Sequence, residues 1–239
     1  MNKNVLILGA SSDIGVELIK IFAQNDYSIT AHCNSNNKSL IEISKKLKKI
    51  KIIKKDFSNF NTTTLNNFCK KKLNKEYTIF INLVGYMEKK TYLESDLESL
   101  IKSIKINALV PTLILKNVIK KMIKNHYGRI LNCSSIGVKF GGGLNSFNYS
   151  FSKHAAEFIP SIFKDLAKQN ILYNNLRIGF TKTKIHKKIK SKIELKKRTS
   201  LIPMKRAAKK EEIAEYIYFL VNKKNSYMTN QTINASGGE

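Results

Sequence analysis

Val5-Leu6-Ile7-Leu8-Gly9-Ala10-Ser11-Ser12-Asp13-Ile14-Gly15, near the start of the chain, decides the fold. Four apolar residues in a row suit a strand buried on both faces, as in a parallel sheet. Gly9 punctuates the run, and from Val16 to Gln24 the apolar Leu18, Ile19 and Phe22 fall at helical spacing. Strand, glycine-containing turn and helix together are the setting that a dinucleotide site needs. Small residues let the backbone approach a pyrophosphate, and a helix start offers free N–H groups and a positive dipole end. Alone, the stretch reads equally well as an ordinary strand-to-helix turn.

The same alternation continues along the 239 residues. Strands are expected near 4–8, 28–33, 50–54, 78–82, 128–133, 172–178 and 231–235, and helices near 14–25, 38–48, 60–73, 95–123, 148–168 and 209–222. Alternating strands and helices imply α/β architecture, a parallel sheet with helices on both faces. Right-handed crossovers make it a doubly wound, Rossmann-type sheet of seven strands, with ligands outside the strand C-termini. No linker or repeat divides the chain, so residues 1–239 are expected to form one domain.

Tyr149-Ser150-Phe151-Ser152-Lys153 carries the chemistry. A Tyr and a Lys four apart share one helix face. A phenol titrates near 10, and a neighbouring ammonium favours the phenolate, moving that value toward the working range. The pair is thus a candidate proton donor and acceptor, although Tyr-x-x-x-Lys also recurs by chance on amphipathic helices.

Composition narrows the class. At 42% hydrophobic the chain is globular, not disordered. No apolar run approaches the ~18 residues of a membrane span, and the first strand begins too early to leave room for a signal peptide. Cys33, Cys69 and Cys133 are an odd, scattered set that reads as reduced thiols of a cytoplasmic protein. His32, His126, His154 and His186 have no metal-ligand spacing, so no metal is expected. The net charge of +26 invites a nucleic-acid reading. Only Arg129, Arg177, Arg198 and Arg206 are arginines, however, and the excess of lysine looks like a solvated surface rather than a phosphate-reading patch.

Read together, the motifs resemble the classical short-chain dehydrogenase/reductase family over nearly the whole chain, and the general pattern resembles its 3-oxoacyl-carrier-protein reductases. The family's T-G-x-x-x-G-x-G is similar to Leu8-Gly9 through Asp13-Ile14-Gly15, and its N-N-A-G to Asn82-Leu83-Val84-Gly85. Its helix Asn resembles Asn107, and its G-R-I-V-N-x-S-S strand resembles Gly128 to Ser135. Its Y-x-x-x-K is Tyr149 and Lys153. Ile202-Pro203-Met204-Lys205-Arg206, Glu211-Glu212-Ile213-Ala214 and Gln231 to Gly238 resemble its closing segments. Departures are Leu8 for Thr, Asp13 for Gly, Leu83-Val84 for Asn-Ala, Ile178 for Pro and Asn230 for a common Gly.

The resemblance implies a reductase or dehydrogenase acting between ketone and alcohol. Ser135 would hydrogen-bond the substrate oxygen, Tyr149 would deliver the proton, and Lys153 would bias the Tyr and bind the nicotinamide ribose. Asn107 would hold a proton-relay water. Gly9, Ser11, Ser12, Asp13, Ile14 and Gly15 would cradle the pyrophosphate, Asp56 and Phe57 would lie at the adenine, and Asn82 and Gly85 would shape the groove. Gly179, Thr181 and Thr183 would border the nicotinamide carboxamide. NAD sites commonly place an acid after the second strand, where this chain has His32-Cys33-Asn34-Ser35-Asn36-Asn37-Lys38. With Asn34, Ser35 and Lys38 there, NADP(H) is expected over NAD(H). The variable lid, about 182–201, has eight Lys and one Arg in residues 182–198. It could steer an anionic substrate, such as a carrier-linked 3-oxoacyl group or a nucleotide-linked sugar, or simply be a solvated helix. The Phe140–Leu144 loop is expected at the substrate. Family members usually form homotetramers through the two long helices. A nucleotide-binding regulator without turnover and a nucleic-acid-binding protein are the readings from other classes.

Overall fold

The computed structural model of the chain describes residues 2–183 and 191–239. In the described residues seven strands form one sheet: β1 Asn4–Leu8, β2 Ser28–Cys33, β3 Ile50–Lys54, β4 Ile79–Asn82, β5 Gly128–Ser135, β6 Ile171–Ile178 and β7 Gln231–Ala235. Their order is β3-β2-β1-β4-β5-β6-β7, and every neighbouring pair is parallel. The winding reverses between β1 and β4, which opens a crevice at their carboxyl ends.

Helices α1 Asp13–Gln24, α2 Lys38–Ser44, α3 Thr62–Lys72, α4 Leu97–Ile104, α5 Val110–Lys124, α6 Phe147–Ala156, α7 Ile162–Leu166, α8 Lys192–Ser200 and α9 Lys210–Val221 complete the described fold. Alternate residues along each strand face opposite sides, so the sheet has two cores. Leu6, Leu8, Phe80 and Ile130 pack with α3, α5 and α7, whereas Val5, Ile7, Ile79, Ile81 and Leu131 pack with α1 and α9.

Two long helices expected from the sequence are modified. The 95–123 segment runs through a π-helical turn, Lys105–Leu109, between α4 and α5. Residue 111 is proline and has no N–H to give the carbonyl of Asn107, its ordinary α-helical acceptor. The expected 148–168 helix is two helices. α6 tightens into i→i−3 bonds at its end, where Glu157 and Phe158 donate to the carbonyls of His154 and Ala155. Pro160 then stops it, both by lacking an N–H and by forcing Ile159 out of helical angles. The expected helix near 38–48 is shorter, ending at Ser44.

Candidate active site

The β1–α1 turn is built by close approach. Gly9 has φ +74°, and a Cβ there would lie 2.8 Å from the backbone of Leu83, so the turn touches the chain leaving β4. Ser12 caps α1 by accepting from the Gly15 N–H at 3.1 Å. Asp13 is the first residue of α1 and is absent from the positive-φ positions, so it replaces a glycine without backbone strain. Ser11, Ser12 and Asp13 are partly exposed, and Ile14 and Gly15 are buried. Narrow backbone, helix dipole and partial exposure together fit a dinucleotide pyrophosphate. Asp13 places a carboxylate in the same turn.

His32 underpins that turn. Its Nδ1 accepts from the Gly9 N–H at 3.3 Å, so Nε2 carries the hydrogen and donates to the Lys55 carbonyl at 2.8 Å. The ring stacks on Phe57 at 4.1 Å. Burial pushes the pKa of His32 down to about 4, against the Lys55 bond and Asp56. Phe57, expected at the adenine, has its side chain in the core. Asp56 accepts from the Ser58 N–H at 2.8 Å, closing a local turn. Asn34, Ser35 and Lys38 are exposed just past the end of β2.

Ser135 ends β5, and Tyr149 and Lys153 project from α6. Ser135 is near enough to the Tyr149 phenol to act on its pKa, and Lys153 Nζ lies 5.9 Å from the centre of the Tyr149 ring. Lys153 is buried and donates to the carbonyls of Val84 and Cys133, both at 2.7 Å. The three side chains therefore meet beside Gly85, whose added Cβ would stand 4.0 Å from the Tyr149 ring. One expectation is corrected here. Burial pushes the Tyr149 phenol up to about 12, although Ser135 works in the opposite direction. Burial also pulls Lys153 down to about 8, despite Cys133 and Glu157 raising it. Desolvation dominates, and the phenol holds its proton at neutral pH.

Asn107 is buried in the π-helical turn. Its Oδ1 accepts from the Tyr86 N–H at 2.7 Å, and its Nδ2 donates to the Tyr86 carbonyl and to Ser152 Oγ, both at 2.8 Å. Both amide hydrogens are engaged, so any relay water at Asn107 must bind its oxygens. Asn82 is buried. Its Nδ2 donates to Asn132 Oδ1 at 2.8 Å, and its Oδ1 accepts from the Val84 N–H at 3.1 Å, so it holds the chain beside Gly85 from behind. Gly179 follows β6. Thr181 is buried with its hydroxyl donating to the Gly179 carbonyl at 3.0 Å. Thr183 is partly buried. Of the expected lid, residues 184–190 lie outside the described residues, and most of the remainder is α8. Phe140 and Leu144 are exposed beyond Ser135.

The sequence reading passed over His32 as a positioning group, and over Ser152, Asn132 and Asn175. The signal for Asn132 and Asn175 is two polar residues inside apolar strands. All four arginines are engaged within the fold: Arg129 is buried against backbone carbonyls, and Arg177, Arg198 and Arg206 pair with Glu157, Glu239 and Glu212. Among the described residues no group of His, Cys, Asp or Glu could hold a metal ion, and no helix is long and apolar enough to cross a membrane.

Comparison with known proteins follows the same lines. The family model described as enoyl-(acyl carrier protein) reductase matches residues 9–239. The 3-oxoacyl-(acyl-carrier-protein) reductase FabG of Buchnera aphidicola subsp. Schizaphis graminum is 32% identical, with 99% of this chain and 96% of that protein covered. FabG of Aquifex aeolicus is 34% identical over 67% of this chain and 64% of that protein. Among solved structures, ElxO with NADP bound is 25% identical, with a TM-score of 0.82 and 99% and 98% of the two chains covered.

Proposed function

The chain belongs to the short-chain dehydrogenase/reductase family of NAD(P)-dependent oxidoreductases, and on that footing we propose that it is an NADP(H)-dependent reductase of 3-oxoacyl groups carried by an acyl carrier protein. The observation that carries the reading is the meeting of Ser135, Tyr149 and Lys153 beside Gly85. When bound, the nicotinamide supplies the hydride that reduces the carbonyl carbon. The Ser135 hydroxyl hydrogen-bonds the carbonyl oxygen as it gains negative charge. Tyr149, protonated at neutral pH, delivers a proton to that oxygen. The Lys153 ammonium stabilises the phenolate left behind, is held by the carbonyls of Val84 and Cys133, and would bind the nicotinamide ribose. Asn107 fixes Tyr86 and Ser152 and supplies an oxygen for the water that reprotonates the site.

NADP(H) is supported by the exposed Asn34, Ser35 and Lys38 after β2, where a carboxylate would repel the 2′-phosphate. Gly9, Ser11, Ser12, Asp13, Ile14 and Gly15 would hold the pyrophosphate, the backbone at Asp56 and Phe57 would meet the adenine, and Gly179, Thr181 and Thr183 would border the carboxamide. The carrier-linked substrate is supported by the FabG relatives, which are 3-oxoacyl-(acyl-carrier-protein) reductases. The exposed Lys196 and Lys197 on α8 suit an acidic carrier. Buried, unbridged Cys33, Cys69 and Cys133 support a cytoplasmic setting. Exposed Leu97 and Ile101 on α4, Leu109 at the end of the π-helical turn and Leu113 on α5 support assembly into a homotetramer.

The test is cofactor oxidation with a 3-oxoacyl carrier thioester, a nucleotide sugar bearing a ketone and a simple ketone, each with NADPH and with NADH. Preference for NADPH and for the thioester is the expected result. Turnover of the nucleotide sugar alone would replace the substrate, and no turnover with any carbonyl would remove the proposal.

A further inference from the structure

Pro160 leaves α6 with unpaired carbonyls close to the residues proposed to do the chemistry. In an uninterrupted helix the Ala156 carbonyl would accept from the N–H of residue 160, and the Glu157 carbonyl from that of residue 161. Residue 160 has no N–H to give. Both carbonyls are instead satisfied from the sheet. Asn132 Nδ2 donates to the Ala156 carbonyl at 2.9 Å, and Asn175 Nδ2 donates to the Glu157 carbonyl at 2.7 Å.

The two asparagines belong to one row. Asn82, Asn132 and Asn175 are register partners on β4, β5 and β6, and Thr232 follows on β7. Asn82 donates to Asn132 at 2.8 Å, Asn132 to Asn175 at 3.1 Å, and Asn175 to Thr232 at 3.2 Å. All three asparagines are buried. Arg177, two residues beyond Asn175, grips the Glu157 carboxylate with bonds of 2.8 and 2.6 Å. Lys153, Ala156 and Glu157 are i, i+3 and i+4 on one helix face, and each is tied to this part of the sheet. The circuit closes through Val84, whose carbonyl accepts from Lys153 and whose N–H donates to Asn82.

We propose that Asn132 and Asn175 are positioning residues: they replace the helical bonds that Pro160 removes, and by fixing the end of α6 they set where Tyr149 and Lys153 stand over the sheet. The proposal rests on the catalytic reading of Tyr149 and Lys153 given above. Each asparagine spends one amide hydrogen along the row and the other on the end of α6, so row and helix end are satisfied by the same two groups. A proline alone would leave α6 frayed one turn beyond its lysine.

The test compares Asn132→Ala, Asn175→Ala and Pro160→Ala with the two double variants that combine each asparagine change with Pro160→Ala. An alanine at 160 regains an N–H for the Ala156 carbonyl and lets the helix continue to supply Glu157. Each asparagine variant is expected to lose about ten-fold or more in kcat, a scale usual for misplaced catalytic groups. The alkaline limb of its pH profile should also move, because Lys153 shifts against its carbonyls. Pro160→Ala should recover most of the loss. Losses that simply multiply in the double variants, with native circular dichroism, would overturn the proposal. Backbone hydrogen exchange of residues 153–159 gives a readout without turnover: it should quicken in Asn175→Ala and slow again with Pro160→Ala. Unchanged exchange would also overturn it. If the unaltered protein reduces no carbonyl, the functional reading falls, while exchange still decides whether the asparagines anchor α6.

Discussion

Replacing His32 with glutamine should remove a large acid-dependent part of the protein's stability. The folded ring titrates at about 4 and its ordinary value is 6.5, because burial penalises the imidazolium. In the folded state a second ring proton would also face the Gly9 N–H, setting donor against donor where Nδ1 now accepts. A depressed folded pKa means that the unfolded chain takes up the proton first. The stabilisation is therefore complete above about pH 6.5 and is lost as pH falls through about 4. The gap of about 2.5 pH units, at about 1.4 kcal/mol each, amounts to on the order of 3 kcal/mol, of which about 2.5 kcal/mol should be gone by about pH 4.5. Urea unfolding at pH 7.5 and 4.5, on the unaltered protein and on His32→Gln, measures it. The unaltered protein should lose about 2 to 3 kcal/mol more than the variant between the two conditions. Equal losses would refute the clamp, because other titrating groups are common to both proteins. The same protonation loosens the glycine turn, so NADPH affinity should weaken over the same acid range only when His32 is present.

Three further outcomes follow from the site. Asn34→Asp puts a carboxylate where the 2′-phosphate is proposed to lie, and kcat/KM for NADPH should fall by about ten-fold or more while that for NADH changes little, as steady-state kinetics with both cofactors will read. Asp13→Asn removes the carboxylate at the start of α1, and NADPH should bind roughly three- to ten-fold tighter at low salt, an advantage that fades at high salt in a fluorescence titration. Lys153, pulled by burial to about 8, should lose its proton just above neutrality. Accordingly kcat should decline above that pH, and a profile flat to pH 10 would show that its charge is not used.

The strands were legible because their apolar runs are short and bounded by turn residues, as Val5–Leu8 before Gly9 shows. The pairing of Tyr149 and Lys153 was legible from helical spacing, whereas Ser135 was expected only because the Gly128–Ser135 strand resembles the family's motif. The break in α6 was marked by Pro160 but hidden by apolar periodicity continuing on both sides of it. Asn132 and Asn175 stand out as polar residues inside apolar strands, but what they bond could not be read from local pattern. A polar residue in a strand usually points to solvent, and only the register of β5 with β6 brings these two together. The direction of the Tyr149 shift was missed for a related reason. Sequence spacing gives the distance to a cation, whereas burial, which dominates here, comes from the packing of α6 on the sheet.

Tyr149→Phe tests the central claim most directly, because it removes one oxygen and leaves the ring that packs beside Gly85. NADPH should bind within about two-fold of the unaltered affinity, while reduction of the best carbonyl substrate falls by about a hundred-fold or more, the scale of a lost general acid. Turnover that survives the change, with the fold intact, would contradict the account.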